Sequence, residues 1–234
     1  LPDSAAQYSP ANAGLSAYRP GPTRPSAAPD VPASYYEFIV GYMREIQNDN
    51  SGAFQHYQDA ARLNPRSPFL HTTLASVLLK AGRIGEATTE AEEALIIDPS
   101  YVPALMLLGN LYASTKRAEP AIKQYSRVIE IAPDNAEAYL YLGSLYYELK
   151  EYDEAISTFK GLVERDPSSV MGFISLGRLY GEIKLYAIAE EHFKRALELN
   201  PRAGGALLGL ARVYEIDKKY DEAIGAYERY LQID

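Results

Sequence analysis

The 234-residue sequence contains no cysteine and no tryptophan. Without cysteine, the chain can form no disulfide, no thiolate nucleophile and no cysteine-ligated zinc site. No uninterrupted apolar run approaches the roughly 18 residues that a membrane-spanning helix needs. Positive charge is also scarce, because 23 Lys and Arg residues stand against 31 Asp and Glu residues, for a formal net charge of −8. This balance argues against a nucleic-acid partner, since a phosphate backbone binds to a concentrated basic surface.

Motifs that carry catalysis are missing as well. Only three histidines occur, and none has a second histidine three or four residues away. The sequence has no glycine-rich phosphate loop, no GxSxG and no metal-ligand spacing. Most carboxylates lie near Lys or Arg, as do Glu191 and Arg195, which is typical of a solvated helix face. We therefore predict that the chain is not an enzyme and holds no cofactor or metal.

Residues 1–33 form a compositionally distinct segment. Pro, Ala, Ser and Gly occupy 21 of these 33 positions. Such a segment buries too little apolar surface to offset its ordering entropy, and its prolines favour an extended polyproline II conformation. We predict an extended tail over residues 1–33. It is either an inert linker or a segment that docks into a groove of its own chain or of a neighbouring copy.

From Ser34 onward, proline recurs with a constant 34-residue spacing, at Pro65, Pro99, Pro133, Pro167 and Pro201. A period of this length indicates stacked supersecondary units, none of which can bury its apolar face alone. The register predicts six copies, at residues 34–67, 68–101, 102–135, 136–169, 170–203 and 204–234. The last copy ends just before its expected proline, so we expect the native protein to continue beyond Asp234.

Each copy has the pattern of two helices. In the fourth copy, Tyr139, Leu142 and Leu145 follow the three-and-four spacing of one helical face. Ala155 and Phe159 continue that face in a second helix. A small residue recurs midway along every first helix, which predicts close helix contacts, at Gly41, Ala75, Gly109, Gly143, Gly177 and Ala211.

This pattern resembles the tetratricopeptide repeat family over residues 34–234. The residues that carry the resemblance in the fourth copy are Tyr139, Leu142, Gly143, Tyr146, Ala155, Phe159 and Pro167. The first copy departs from the pattern at Glu37 and Arg44, as a terminal copy that faces water can. The resemblance implies an all-α fold, a right-handed superhelical solenoid of tandem 34-residue helix-turn-helix repeats.

The resemblance also implies that the first helices line a concave groove that holds an extended peptide or a partner's helix. Carrying the groove positions over to this sequence gives the candidate ligand-binding residues Met106, Asn110, Leu140, Tyr141, Tyr147, Ile174, Arg178 and Arg212. The apolar and aromatic members favour a hydrophobic or proline-rich segment. Arg178 and Arg212 occupy the same position in adjacent copies and could bind a carboxylate together. Alternatively, Glu182 and Glu215 neutralise them within the chain.

We therefore predict a non-catalytic scaffold that binds a protein or peptide partner. Two alternatives remain open: a self-assembling structural subunit, which would be a homo-oligomer, and the targeting region of a longer enzyme. The set of lysines that clamps chaperone tails in some family members is absent, which argues against that ligand. The tail composition also resembles the spacer of exported bacterial lipoproteins, which favours the cell envelope or periplasm over the cytoplasm.

Overall fold

The computed structural model describes residues 28–233, and these residues form twelve α-helices and no strand. The chain divides into two compact units, which we call the N-terminal unit (up to Thr115) and the C-terminal unit (from Lys116). Residues 1–27 hold most of the predicted tail. They lie outside the described residues, and so does the predicted docking of that tail.

Short turns join the helices in both units. In the N-terminal unit the helices are α1 (Val31–Ile46), α2 (Asn50–Leu63), α3 (Pro68–Lys80), α4 (Ile84–Ile97) and α5 (Val102–Ser114). In the C-terminal unit they are α6 (Ala118–Ile131), α7 (Ala136–Glu148), α8 (Tyr152–Arg165), α9 (Val170–Glu182), α10 (Tyr186–Leu199), α11 (Gly204–Ile216) and α12 (Tyr220–Leu231). The odd-numbered helices are the first helices of the predicted copies, and the even-numbered helices are the second.

Several first helices begin at a side-chain cap. Ser67, Asn135 and Ser169 share one register position of the repeat, and each accepts a hydrogen bond from the backbone N–H three residues further on. Helix α1 begins at Val31, where the side chain of Asp30 caps it by accepting a hydrogen bond from the N–H of Ala33. It therefore starts three residues before the predicted first copy.

The turn after every first helix contains one residue in the left-handed region, with φ between 57° and 73°. In α7, this geometry lets the N–H of Lys150 donate to the carbonyl of Tyr147, and the N–H of Glu151 to that of Tyr146. Both bonds satisfy carbonyls at the end of the helix and reverse the chain direction. The left-handed residues recur every 34 positions, at Asn48, Gly82, Lys116, Lys150, Lys184 and Lys218.

Within each unit, sequential helices pack side by side. In the C-terminal unit, α7 packs against α8 and α9 against α10, and each second helix also contacts the next first helix. The first helices contact one another directly, α7 with α9 and α9 with α11, whereas no comparable packing joins α8 to α10 or α10 to α12. The first helices therefore line the inner side of this unit. The predicted all-α fold of tandem helix pairs is confirmed.

Candidate functional site

The inner side of the C-terminal unit carries exposed side chains from three adjacent first helices. Tyr141 on α7, Arg178 on α9 and Arg212 on α11 are all exposed. The ring of Tyr141 packs against that of Tyr125, with 5.7 Å between the ring centroids. A hydrogen bond to Glu137, together with burial, raises the pKa of the Tyr141 hydroxyl. We call the surface formed by these three first helices the inner face.

Leu140 and Tyr147 form an apolar border on the same face. Both are half-buried and pack against the hydrophobic cluster that fills the C-terminal unit. The ring of Tyr147 also packs against that of Tyr152, at 6.1 Å between centroids. The inner face thus combines aromatic and aliphatic surface with two guanidinium groups.

Neither of the two arginines is neutralised within the part of the chain that the structure describes. Arg178 and Arg212 form no ion pair or hydrogen bond with Glu182 or Glu215 there, and the Glu215 carboxylate instead accepts a hydrogen bond from the Tyr227 hydroxyl at 3.2 Å. By contrast, Arg127 on a second helix of the same unit pairs with Glu130 at 2.8 Å. The inner face therefore presents two cations that have no carboxylate partner among residues 28–233.

Two candidate residues have little surface to offer a ligand. Ile174 is buried, because Gly205 of the adjacent first helix lacks a side chain and leaves space that the isoleucine fills. Met106 is buried in α5 of the N-terminal unit, and Asn110 on the same helix is half-buried. The structure therefore groups Leu140, Tyr141, Tyr147, Arg178 and Arg212 on the inner face, with Ile174 beneath them.

The N-terminal unit contains two histidine–glutamate pairs that the sequence analysis missed. In the first helix pair, Nδ1 of His56 lies 2.6 Å from the carboxylate of Glu37. In the second helix pair, Nδ1 of His71 lies 2.6 Å from the carboxylate of Glu90. The two residue types exchange places between repeats, since Glu37 and His71 share one register position and His56 and Glu90 share another. That 34-residue correspondence was the available signal in the sequence.

The second of these pairs is buried, and its hydrogen bonds favour the protonated imidazole. Nδ1 of His71 contacts the Glu90 carboxylate, and Nε2 lies 3.1 Å from the carbonyl oxygen of Pro65. The carbonyl oxygen and an ionised carboxylate both accept hydrogen bonds, so a ring that is protonated at both nitrogens can donate to both partners. Burial lowers the pKa of His71, but the hydrogen bond and charge of Glu90 outweigh it and leave the pKa raised. When His71 is protonated, the pair is an imidazolium–carboxylate ion pair inside the N-terminal unit.

Residues 28–233 contain neither a metal site nor a membrane-spanning helix. No group of three or more His, Asp or Glu side chains within residues 28–233 is arranged to hold a metal ion. None of the twelve helices is long and apolar enough to cross a membrane. A cleft of about 560 Å³ between α10, α11 and α12 contains none of the candidate residues; its lining includes Leu197, Tyr214 and Arg229.

Three models of the tetratricopeptide repeat match this chain, at residues 109–150, 137–169 and 174–234. Among curated proteins, the chain is similar to small glutamine-rich tetratricopeptide repeat-containing protein 2 of Mycosarcoma maydis. The two are 30% identical over 83 residues, which is 36% of this chain and 24% of that protein. The chain thus spans about a quarter of that relative's length.

Two solved structures show the same fold at low sequence identity. A tetratricopeptide repeat protein from Parabacteroides merdae ATCC 43184 superimposes with a TM-score of 0.72 at 22% identity, covering 87% of this chain and 80% of that one. YrrB, described as a tetratricopeptide repeat protein with an unusual peptide-binding site, superimposes with a TM-score of 0.60 at 17% identity, covering 76% and 92%.

The chain belongs to the tetratricopeptide repeat family, and its fold class is the all-α solenoid of that family. The tetratricopeptide repeats of this chain form a protein-interaction scaffold.

Proposed function

We propose that the inner face of the C-terminal unit binds an extended segment of a partner protein, and that Arg178 and Arg212 bind an acidic group of that segment. The observation that carries this proposal is the pair of exposed guanidinium groups at one register position of adjacent first helices, with no carboxylate partner among the described residues. A guanidinium offers two parallel N–H donors to a carboxylate, so two of them can hold one acidic side chain or a chain terminus.

The remaining inner-face residues define the rest of the ligand. Leu140, Tyr141 and Tyr147 supply apolar and aromatic surface, which suits hydrophobic or proline residues next to the acidic group. A peptide-binding site in YrrB, which shares the fold, is consistent with this use of the surface. We infer a ligand with an acidic group flanked by apolar residues.

The test is affinity capture with the full chain as bait beside an Arg178→Ala/Arg212→Ala double variant. A matched control is Arg127→Ala/Arg195→Ala, which removes two arginines that pair with Glu130 and Glu198 on second helices. Bound proteins are identified by mass spectrometry, and the affinity of each is then measured at several salt concentrations. We expect a partner that binds the parent and the control, is lost with the inner-face variant and binds more weakly as salt rises.

The other functions give different results in the same experiment. Partners that bind all three baits equally would contradict the inner-face proposal. Recovery of only the chain itself would favour the self-assembling subunit, and concentration-dependent mass measurements would then check it. The targeting region of a longer enzyme is checked separately, by reading the gene beyond the codon for Asp234.

A further inference from the structure

The outward face of α1, formed by Tyr36, Val40 and Met43, is apolar and is not covered by any described residue. Tyr36 is 66% exposed, Met43 is 51% exposed and Val40 is half-buried. At the same register positions of the other first helices every residue is buried; in α9 these are Gly172, Leu176 and Leu179. The first helix pair therefore ends in an apolar surface rather than in the polar one expected of a terminal repeat. We call this surface the α1 face.

Elsewhere in the chain, the equivalent face is covered by the preceding second helix, and a large side chain meets a small one at that junction. A Cβ on Gly172 of α9 would lie 2.7 Å from Cγ1 of Val163 in α8, so the valine needs a glycine opposite it. At the corresponding positions of the other junctions, one residue of each pair is small and the other is large, and we call this the size rule. The pairs are Ala61/Leu70, Leu95/Ala104, Ile129/Ala138 and Leu197/Ala206.

This size rule distinguishes between two candidate occupants of the α1 face, a second copy of the chain and residues 1–27. Tyr36 is the largest residue at its register position, so its partner must be small. A second copy of the chain would bring the exposed α12 with Leu231 at the matching position, which places a large side chain on a large one. Residues 1–27 contain six alanines and five prolines and lie three residues before α1. Proline-rich segments also dock against aromatic side chains, of which Tyr36 is one.

We propose that residues 1–27 bind to the α1 face of the same chain and cap the first helix pair. The 16 residues of α1 are about 24 Å long, and about eight residues of polyproline II span that length. The tether of three residues, 28–30, gives the segment a high effective concentration at the face. The occupied face is then closed to a second copy. This proposal is independent of the inner face.

The chain's own composition provides a direct experiment. It has no cysteine, so Ala17→Cys gives a single site for a nitroxide spin label. It has three methionines, Met43 on the α1 face, Met106 in the core of the N-terminal unit and Met171 exposed on α9, so methyl-labelled methionine gives three assignable NMR signals. We expect the label to broaden the Met43 signal and to leave the Met171 signal unchanged.

The matched variants are Tyr36→Ser and Tyr35→Ser. Both tyrosines are 66% exposed on α1, but only Tyr36 belongs to the α1 face. We expect Tyr36→Ser to restore the Met43 signal and Tyr35→Ser to leave it broadened. A circular dichroism spectrum of each variant checks that α1 is intact.

Three results would overturn the proposal. In the first, Met171 is broadened instead of Met43, which places the segment against α9 rather than on the α1 face. In the second, no methionine is broadened beyond the level seen in Tyr36→Ser. In the third, broadening appears when a spin-labelled chain is mixed with a separate methyl-labelled chain, which makes the contact intermolecular.

Discussion

Gly143 of α7 lies directly against the ring of Phe159 in α8. A Cβ on this glycine would stand 2.5 Å from the ring carbon Cε1, and the same relationship holds between Gly177 and Phe193 at 2.7 Å. The small residue midway along a first helix therefore faces an aromatic ring of its own second helix. This contact between a glycine and a ring brings the two helices of each pair close together.

Gly143→Ala should lower the free energy of unfolding. The ring of Phe159 is buried, so the new methyl group forces the helices apart at a cost of about 1–3 kcal/mol. This cost exceeds the gain in helix propensity of up to about 1 kcal/mol. Gly225→Ala is the control, because no atom lies within 4 Å of its Cβ position, and it should stabilise the chain by about 0.5–1 kcal/mol. Urea denaturation compares the two, and equal effects would refute the packing argument.

The turn residues give a second prediction. Gly82 has a φ of 73° and no atom near its Cβ position, so Gly82→Ala adds backbone strain alone and should cost about 1 kcal/mol. Lys150 adopts a φ of 62° at the equivalent position, so Lys150→Gly relieves strain and should be neutral or stabilising by up to about 1 kcal/mol. Thermal unfolding of both variants checks this, and a Gly82→Ala protein as stable as the parent would contradict it.

The buried pair of His71 and Glu90 should make stability depend on pH. Burial lowers the pKa of His71, but the hydrogen bond and charge of Glu90, then the carbonyl of Pro65 and the charge of Glu93, outweigh it. The pKa is therefore higher in the folded protein than in the unfolded chain. The ion pair therefore contributes its full stability below the unfolded pKa of about 6.5, and this contribution is lost as pH rises through the folded value. We expect the free energy of unfolding to fall as the pH is raised from about 6.5.

Two variants isolate this effect. His71→Leu leaves the Glu90 carboxylate buried without its cation and should cost about 3–5 kcal/mol. His71→Leu/Glu90→Gln removes both charges and should recover part of that loss, with a smaller dependence on pH than the parent. Urea denaturation at several pH values gives each slope. An unchanged slope in the double variant would show that other groups cause the dependence.

Glu45 should contribute stability on the acid side. Its carboxylate accepts hydrogen bonds from Lys80 at 2.6 Å and from the Tyr57 hydroxyl at 2.8 Å, and these bonds lower the pKa of Glu45. The contribution is present above the unfolded pKa of about 4.3 and is lost as pH falls through the folded value. Glu45→Leu leaves the Tyr57 hydroxyl unpaired and should cost about 1–3 kcal/mol.

Lys80→Met is the comparison for Glu45→Leu. It removes an exposed cation and should cost less than about 1 kcal/mol. Acid titration followed by circular dichroism measures both variants. A larger loss in Lys80→Met than in Glu45→Leu would reverse this assignment.

The 34-residue period was enough to predict the fold, because each copy repeats the same apolar spacing and the same turn. Side-chain burial on the inner face was harder to predict, since register alone treats Ile174 and Leu208 as equivalent. Ile174 is buried because the next helix has Gly205 beside it, whereas Leu208 is exposed. Nor could spacing predict that Arg178 lacks a carboxylate partner among the described residues, because Glu182 is close to it in sequence but does not pair with it.

The exchange of histidine and glutamate between the first two helix pairs also bears on how a chain of similar units finds its correct partners. Helices that resemble one another can mispair during folding. If α1 paired with α4, Glu37 would face Glu90, and two carboxylates would repel each other in a buried place. If α2 took the place of α4 beside α3, His56 would face His71. Only the observed pairing sets a histidine against a glutamate in both places, so these four side chains identify neighbours that the repeated pattern alone cannot tell apart.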